Sequence, residues 1–332
     1  MIRRFDKRES LAHSARKGVD WTFKYHGSAA GTILADEVQR DLAPYMGSEL
    51  CTAVETGYSL AYLYQALGDN SFADRAELVI FNALPTMFTH DLWGHQYMSR
   101  GNGPWALAQT HQHSQFTTAN GVATIFGLEP QYPCCTVNHP QGYPKFLSHS
   151  WALAETGLVH ALLSPSVVNV TLPHAGRVTI ECKTDYPFSD YLVYNILAET
   201  SFDLFLRLPS WAGQSQSTSS IAMANVAGGG GTSKPVSIDA HTGLHRLAIP
   251  AGRSTVTFTL ATSIRVEPRP NDAVSVYVGS LLYSLDIGHE VTSSLPHRYF
   301  GGDETNEFQQ FEKVRDYYFN HTKPVSFLVV QC

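Results

Sequence analysis

Two cysteines stand side by side in QYPCCTVNHP, Cys134 and Cys135, in a chain of 332 residues that holds only five. Adjacent thiols suit three chemistries. They can pack as small apolar groups, close a vicinal disulfide in an oxidising compartment, or present two thiolates to a soft metal such as zinc. Neighbouring residues can share one ion only on irregular backbone, and Pro133 followed after the pair by Thr-Val-Asn favours a turn there. A metal needs further donors, and GSELCTAVET offers Glu49, Cys51 and Glu55. In one continuous helix Glu49 and Cys51 point roughly 200° apart, so they converge only if Glu49 stands at the helix start, where Gly47-Ser48 lets the chain turn. Cys51 and Glu55 share a helix face without that condition. Local geometry leaves the choice between the two glutamates open.

Other groups carry weaker signals. Asp36 and Glu37 in GTILADEVQRD read locally as a charged cap ahead of a helix. The histidines of HDLWGH and THQHSQ are possible metal ligands, although His111 and His113, in a polar stretch, read as surface residues. The glycine run from Gly228 to Gly231 lacks the lysine and the strand-to-helix setting of a phosphate loop, and no nucleophile elbow occurs. Cys51, Cys134, Cys135, Cys182 and Cys332 are irregularly spaced and odd in number, which is not a disulfide framework. Two glycosylation triplets occur, at Asn169 and Asn320.

The elements that must position these groups change character along the chain. Leu50, Val54, Tyr58, Ala61, Tyr64 and Leu67 recur at helical spacing, and Gly68-Asp69-Asn70 interrupts them. SFADRAELVIFNAL resumes the helical pattern from Ser71, a plausible N-cap, so the two segments form an αα-hairpin. A third helical pattern covers KFLSHSWALAET, residues 145–156. After Gly157 come runs rich in β-branched and aromatic residues, such as RVTIECKTDY and STVTFTL, which read as antiparallel strands of a sandwich. GQSQSTSS and the glycine run read as surface loop. The expected division is a helical part over 1–157, a β-sandwich over 158–268 and a further β segment over 269–332.

Composition narrows the function. With 43% hydrophobic and 16% charged residues the chain is globular. A net charge of −6 and a pI near 6.2 give no footprint for nucleic acid or an acidic membrane. No apolar run is long enough to span a bilayer, and MIRRFDKRES is followed by no apolar signal segment.

In order and rough spacing, GTILADE, SELCTAVE, DRAELVIFNALP and YPCCTVNHPQGYPKF together resemble glycoside hydrolase family 127, the β-L-arabinofuranosidase-like proteins. TDYPF, LRLPSWA and SVYVGSLLYSLDIG resemble the family's sandwich segments, and the wording is nearest to the eukaryotic, fungal branch. The resemblance implies an α+β multidomain fold, a partial (α/α)6 helical barrel followed by an antiparallel β-sandwich. It implies a zinc ion held by Glu49, Cys51, Cys134 and Cys135, which resolves the choice of glutamate. Cys134 would be the nucleophile, Cys135 a structural ligand and Glu37 the general acid/base, in a retaining reaction on a carbohydrate such as a β-L-arabinofuranoside. Cys51 must then lie well within about 6 Å of the paired thiols, since zinc–sulfur bonds reach only about 2.3 Å. Family members are considerably longer, so the chain is expected to be truncated at both ends and to lack substrate-contacting residues. That leaves an alternative, a catalytically inactive, zinc-stabilised protein with a structural or carbohydrate-binding role. Intact relatives are often exported, which points weakly to an extracellular setting.

Overall fold

The computed structural model describes residues 9–36, 38–43, 46–92, 94–101, 123–124, 126–127, 134–223, 231–240, 242–270 and 272–285, and the backbone pairing of 291–293, 319–321 and 330–331. Helices come first. They are α1 (Glu9–His26), α2 (Leu50–Leu67), α3 (Asn70–Leu78), α4 (Cys134–Asn138) and α5 (Gly142–Leu147); α3 continues through a π turn, Val79–Ala83, and a 3-10 turn, Leu84–Met87. Among the described residues no helix is long and apolar enough to cross a membrane.

The apolar spacing of α2 buries Leu50, Ala53, Val54, Gly57, Leu60, Ala61 and Tyr64 along one side. Gly68 ends it in the left-handed conformation, φ 66°, and its N–H returns to the Tyr64 carbonyl at 2.7 Å. The cap of the next helix lies two residues before the expected Ser71. Asp69 is the N-cap, and its carboxylate accepts from Ser71 N–H at 3.1 Å and Ser71 Oγ at 2.7 Å. Asp69 serves because it has the extended backbone, φ −97° and ψ 111°, that lets a side chain reach the first free N–H groups. The two helices approach closely at Gly57, where a Cβ would meet Ile80 Cδ1 at 2.8 Å.

The expected helix over 145–156 is not present as such. α5 stops at Leu147, and the chain forms a hairpin of β3 (Trp151–Ala154) with β4 (Gly157–His160). Two tertiary contacts override the local pattern. Trp151 stacks on its cross-strand partner His160, ring centroids 4.2 Å apart. Gly157 lies so close to Asp203 that a Cβ there would meet its carbonyl oxygen at 1.8 Å. The change from helix to strand therefore falls at residue 151.

Further strands are β5 (Ser166–Leu172), β6 (Gly176–Lys183), β7 (Tyr191–Ala198), β8 (Phe202–Arg207), β9 (Thr218–Met223), β10 (Lys234–Pro235), β11 (Leu244–Ile249), β12 (Gly252–Thr259), β13 (Ile264–Arg269), β14 (Ala273–Val278) and β15 (Leu281–Tyr283). One sheet runs β10-β9-β12-β7-β6-β5 and a second β11-β8-β4-β3. Among the described residues all pairs are antiparallel except β4 with β8, which is parallel, a departure from the all-antiparallel expectation. GQSQSTSS is not simply a loop: Thr218–Ser220 enter β9, where the Ser219 hydroxyl meets His245 Nε2 at 2.8 Å.

The second sheet is buried on both faces. Strand alternation sends Leu158, Leu204 and Leu206 toward the six-stranded sheet and Val159 and Phe205 toward the helices. Three layers result, with the helices packed on a four-stranded sheet that is in turn packed on the six-stranded one. At the helix–sheet seam the buried Arg207 of β8 pairs with Asp74 and Glu77 of α3.

Candidate metal and active site

The site forms where three segments meet. β1 (Gly47–Glu49) pairs antiparallel with β2 (Met98–Arg100), Glu49 opposite Met98. Glu49 keeps an extended backbone, φ −66° and ψ 143°, and is the N-cap residue of α2. Its side chain makes no capping hydrogen bond. Its N–H is held by the Ala35 carbonyl at 2.8 Å, and that of Leu50 by Tyr97 at 3.0 Å. Glu49 thus stands just outside the helix, the one placement that lets it converge with Cys51. Cys51 lies in the first turn of α2, where the helix dipole favours a thiolate. Cys134 and Cys135 open α4, so the expected irregular backbone is not what joins them: about 100° apart in the first turn of a helix, both still bring their sulfurs to one group. Cys135 is buried, and Cys134 and Cys51 are partly exposed.

The four donor atoms all lie within 4.8 Å of one another. Cys51 Sγ is 3.4 Å from Cys135 Sγ, Cys134 Sγ is 3.8 Å from Cys135 Sγ, and Cys134 Sγ is 3.8 Å from Glu49 Oε1. These are free thiols, which removes the vicinal disulfide. The spacing fits a metal. Around a tetrahedral zinc, with sulfur at about 2.3 Å and oxygen at about 2.0 Å, neighbouring donors stand roughly 3.5–3.8 Å apart. Three soft sulfurs with one oxygen also form a donor set that zinc accepts. The hydrogen bond from Cys135 does most to lower the Cys51 pKa, from 9.0 to about 6; burial opposes it, and Asn138, Cys134 and Glu49 add to it.

No protein-family model matches the chain, and no curated protein does. Solved structures match with high probability. One is a GH127 β-L-arabinofuranosidase from Geobacillus stearothermophilus T6, at 13% identity over 87% of this chain and 47% of that one, TM-score 0.66. Another is a GH127 β-arabinofuranosidase, at 15% identity over 81% of this chain and 45% of that one, TM-score 0.58. A third is a glycoside hydrolase, at 15% identity over 77% of this chain and 44% of that one, TM-score 0.60. The chain has the family 127 fold. It spans about half the length of these solved structures, 44–47%.

Within the family 127 fold the groups singled out by sequence separate cleanly. Glu49, Cys51, Cys134 and Cys135 come together. Glu55 does not join them: it pairs with Lys145, whose Nζ also lies 5.1 Å from the centre of the Tyr58 ring. Asp36 does not cap a helix. It holds a turn, accepting from Val38 N–H at 2.9 Å and from Arg40 Nη2 at 2.7 Å, with a bridge between Ala35 and Gln39. Glu37 lies outside the described residues, as do His111 and His113. Ala35, two residues before Glu37, is nonetheless the residue that anchors Glu49. Cys182 is buried in β6, remote from the cluster in the sandwich core, and burial raises its pKa to about 12.

Asn138, Thr136 and His139, on the segment that follows the paired cysteines, escaped sequence reasoning, whereas His95 is one of the HDLWGH histidines. Asn138 is half-buried, one helical turn after Cys134. Thr136 Oγ1 lies 3.4 Å from Nε2 of the buried His95, whose ring stacks on His139 at 5.6 Å. Only Asn138 had a readable signal, four residues after Cys134 in CCTVN. A cavity lined by Ser28, Thr32, Ser48, Ser99 and Arg269 holds none of the four donors, because Ser48 and Glu49 alternate to opposite faces of the β1–β2 ribbon.

Proposed function

We propose that this chain is a member of glycoside hydrolase family 127 and a retaining glycosidase with a cysteine nucleophile, acting on β-L-arabinofuranosides or related furanosides. Its helices would be an arc of an (α/α)6 barrel. The observation that carries the reading is the convergence of Glu49, Cys51, Cys134 and Cys135 within a fold shared with GH127 structures. Those four side chains would hold zinc, whose charge when bound keeps the thiols deprotonated.

Cys134 is assigned the nucleophile, since it is partly exposed while its neighbour Cys135 is buried. Its sulfur forms a bond to the anomeric carbon as the glycosidic C–O bond breaks. Glu37, protonated, gives its proton to the departing oxygen. Water then attacks the same carbon, Glu37 takes the water's proton, and the C–S bond breaks to regenerate the thiolate. Two inversions at one carbon leave the configuration retained, with sulfur in place of the second carboxylate of a retaining pair. Cys135, Cys51 and Glu49 hold the site together and do not react.

The test is turnover of a panel of chromogenic furanosides by the purified chain, with the anomeric configuration of the first product read by NMR. Cleavage of β-L-arabinofuranoside with retention, abolished by Cys134→Ser and strongly reduced by Glu37→Gln, is expected. No turnover above the Cys134→Ser background defeats the catalytic reading. A second reading then stands, a zinc-stabilised protein that binds carbohydrate without cleaving it.

A further inference from the structure

His95, from the HDLWGH motif, does not join the donor group, yet it is buried and its side chain ends beside the paired cysteines. Its backbone is fixed first. His95 and Gly127 exchange two N–H···O bonds, each 2.9 Å, and Gln96 N–H donates to the Met87 carbonyl at 2.9 Å. The Gln96 side chain donates to the Thr124 carbonyl at 2.7 Å. The same strap reaches the start of α2, where Tyr97 accepts from Leu50 N–H and Met98 pairs with Glu49. Residues 95–98 are therefore anchored to the segment that carries Glu49 and Cys51. From that anchored strap the His95 ring touches the segment of the paired cysteines at two points. Nε2 lies 3.4 Å from Thr136 Oγ1, and the ring stacks on His139, centroids 5.6 Å and planes 27° apart. His139 is backed in turn by the Phe88 ring at 4.8 Å. Thr136 follows Cys135 directly, and His139 comes four residues after it.

A helix as short as α4, five residues, needs such a hold. It closes only about one or two internal i→i−4 bonds, so its own backbone does little to set its direction. A turn of one residue about its axis, about 100°, would carry the sulfurs away from Glu49 and Cys51. We propose that His95 is a positioning residue of the cluster, gripping Thr136 and His139 so that the sulfurs of Cys134 and Cys135 meet Glu49 and Cys51. The inference rests on the cluster being a zinc site. Imidazole suits the task, because one ring offers both a nitrogen for the hydroxyl and a flat face for the stack.

The test measures zinc affinity in the full chain, by competition with a chromophoric chelator, for the wild type, His95→Phe, Thr136→Val and the double variant. The Co(II)-substituted proteins add a spectroscopic readout. Phe keeps a flat ring and loses the nitrogen; Val keeps the shape of Thr and loses the hydroxyl. Each single variant should weaken zinc about 10-fold, the lower end of the effect of removing an outer-shell partner. The double variant should weaken it no further than His95→Phe, since the two residues share one contact. In all three variants the sulfur-to-cobalt charge-transfer band should move, because the sulfurs are no longer held in one arrangement. A residue that serves the fold alone would lower the stability of the metal-free and zinc-loaded chains equally and leave zinc affinity unchanged. That result, with an unshifted cobalt band, would overturn the role of His95 while leaving the zinc site standing. Losses that add in the double variant would overturn the Thr136 contact as its means. If His95→Phe does not fold, Thr136→Val alone decides through affinity and the cobalt band. A wild-type chain that binds no zinc would overturn the zinc site itself and this inference with it.

Discussion

Two of the buried groups of ionisable side chains among the described residues are balanced in opposite ways. At the helix–sheet seam, Arg207 reaches Asp74 and Glu77 with its two terminal nitrogens and the Ala161 carbonyl with Nε at 2.5 Å. Glu77 also accepts from Leu163 N–H at 2.7 Å and Tyr186 OH at 2.6 Å, and Asp74 from Ser210 N–H at 3.1 Å. Burial works against the charge on Arg207, but the two carboxylates outweigh it and its pKa is raised. That network brings its own cation. The Glu49–Cys51–Cys134–Cys135 cluster gathers only groups that become anions on losing a proton. A network closed on itself serves the fold; the Glu49–Cys51–Cys134–Cys135 group is one that could hold a metal ion.

The contrast breaks most visibly at Arg207. Arg207→Met strands two carboxylates at a buried seam and should cost about 3–5 kcal/mol of unfolding free energy, equally with and without zinc. A loss confined to the zinc-loaded protein would erase the distinction between the two regions. Next in size is removal of the metal. Zinc at 100 times its dissociation constant should stabilise the chain by about 2.7 kcal/mol, so a chelator should lower the melting temperature of the wild type and not of Cys135→Ser. Equal chelator shifts in both proteins would place the metal elsewhere.

The third prediction uses pH. Burial first, and the charge of Arg207 second, hold the pKa of His160 down from 6.5 to about 3. The folded chain therefore takes up this proton less readily than the unfolded chain. The stabilisation is complete above pH 6.5 and is lost as pH falls from there toward about 3, at about 1.4 kcal/mol per pH unit. Between pH 7 and pH 5 the wild type should lose about 2 kcal/mol more than His160→Gln, measured by urea unfolding. Parallel losses would mean that His160 is not held neutral.

The sequence was legible where short-range chemistry decides the structure. The helical spacing from Leu50 to Leu67 predicts α2 to the residue, and Gly68 ends it as glycine does at a helix terminus. The cysteines were readable as soft-metal donors, but Glu49 was preferred to Glu55 only through the family resemblance, and the helix-start position this required is the one Glu49 occupies. Features decided by distant partners were hidden. WALA reads as helix until His160 and Asp203 are beside it, and the parallel pairing of β4 with β8 joins segments separated by three other strands. Arg207 finds its carboxylates 130 and 133 residues away. The Asp69 cap displaced Ser71 because backbone conformation, not residue type alone, selects a cap.

The most direct test of the account is X-ray absorption at the zinc edge on the purified, zinc-loaded chain. It predicts one zinc per chain with a first shell of three sulfurs at about 2.3 Å and one oxygen at about 2.0 Å, and loss of one sulfur in Cys51→Ser. A shell of nitrogen and oxygen alone, or a full sulfur count in Cys51→Ser, would contradict it.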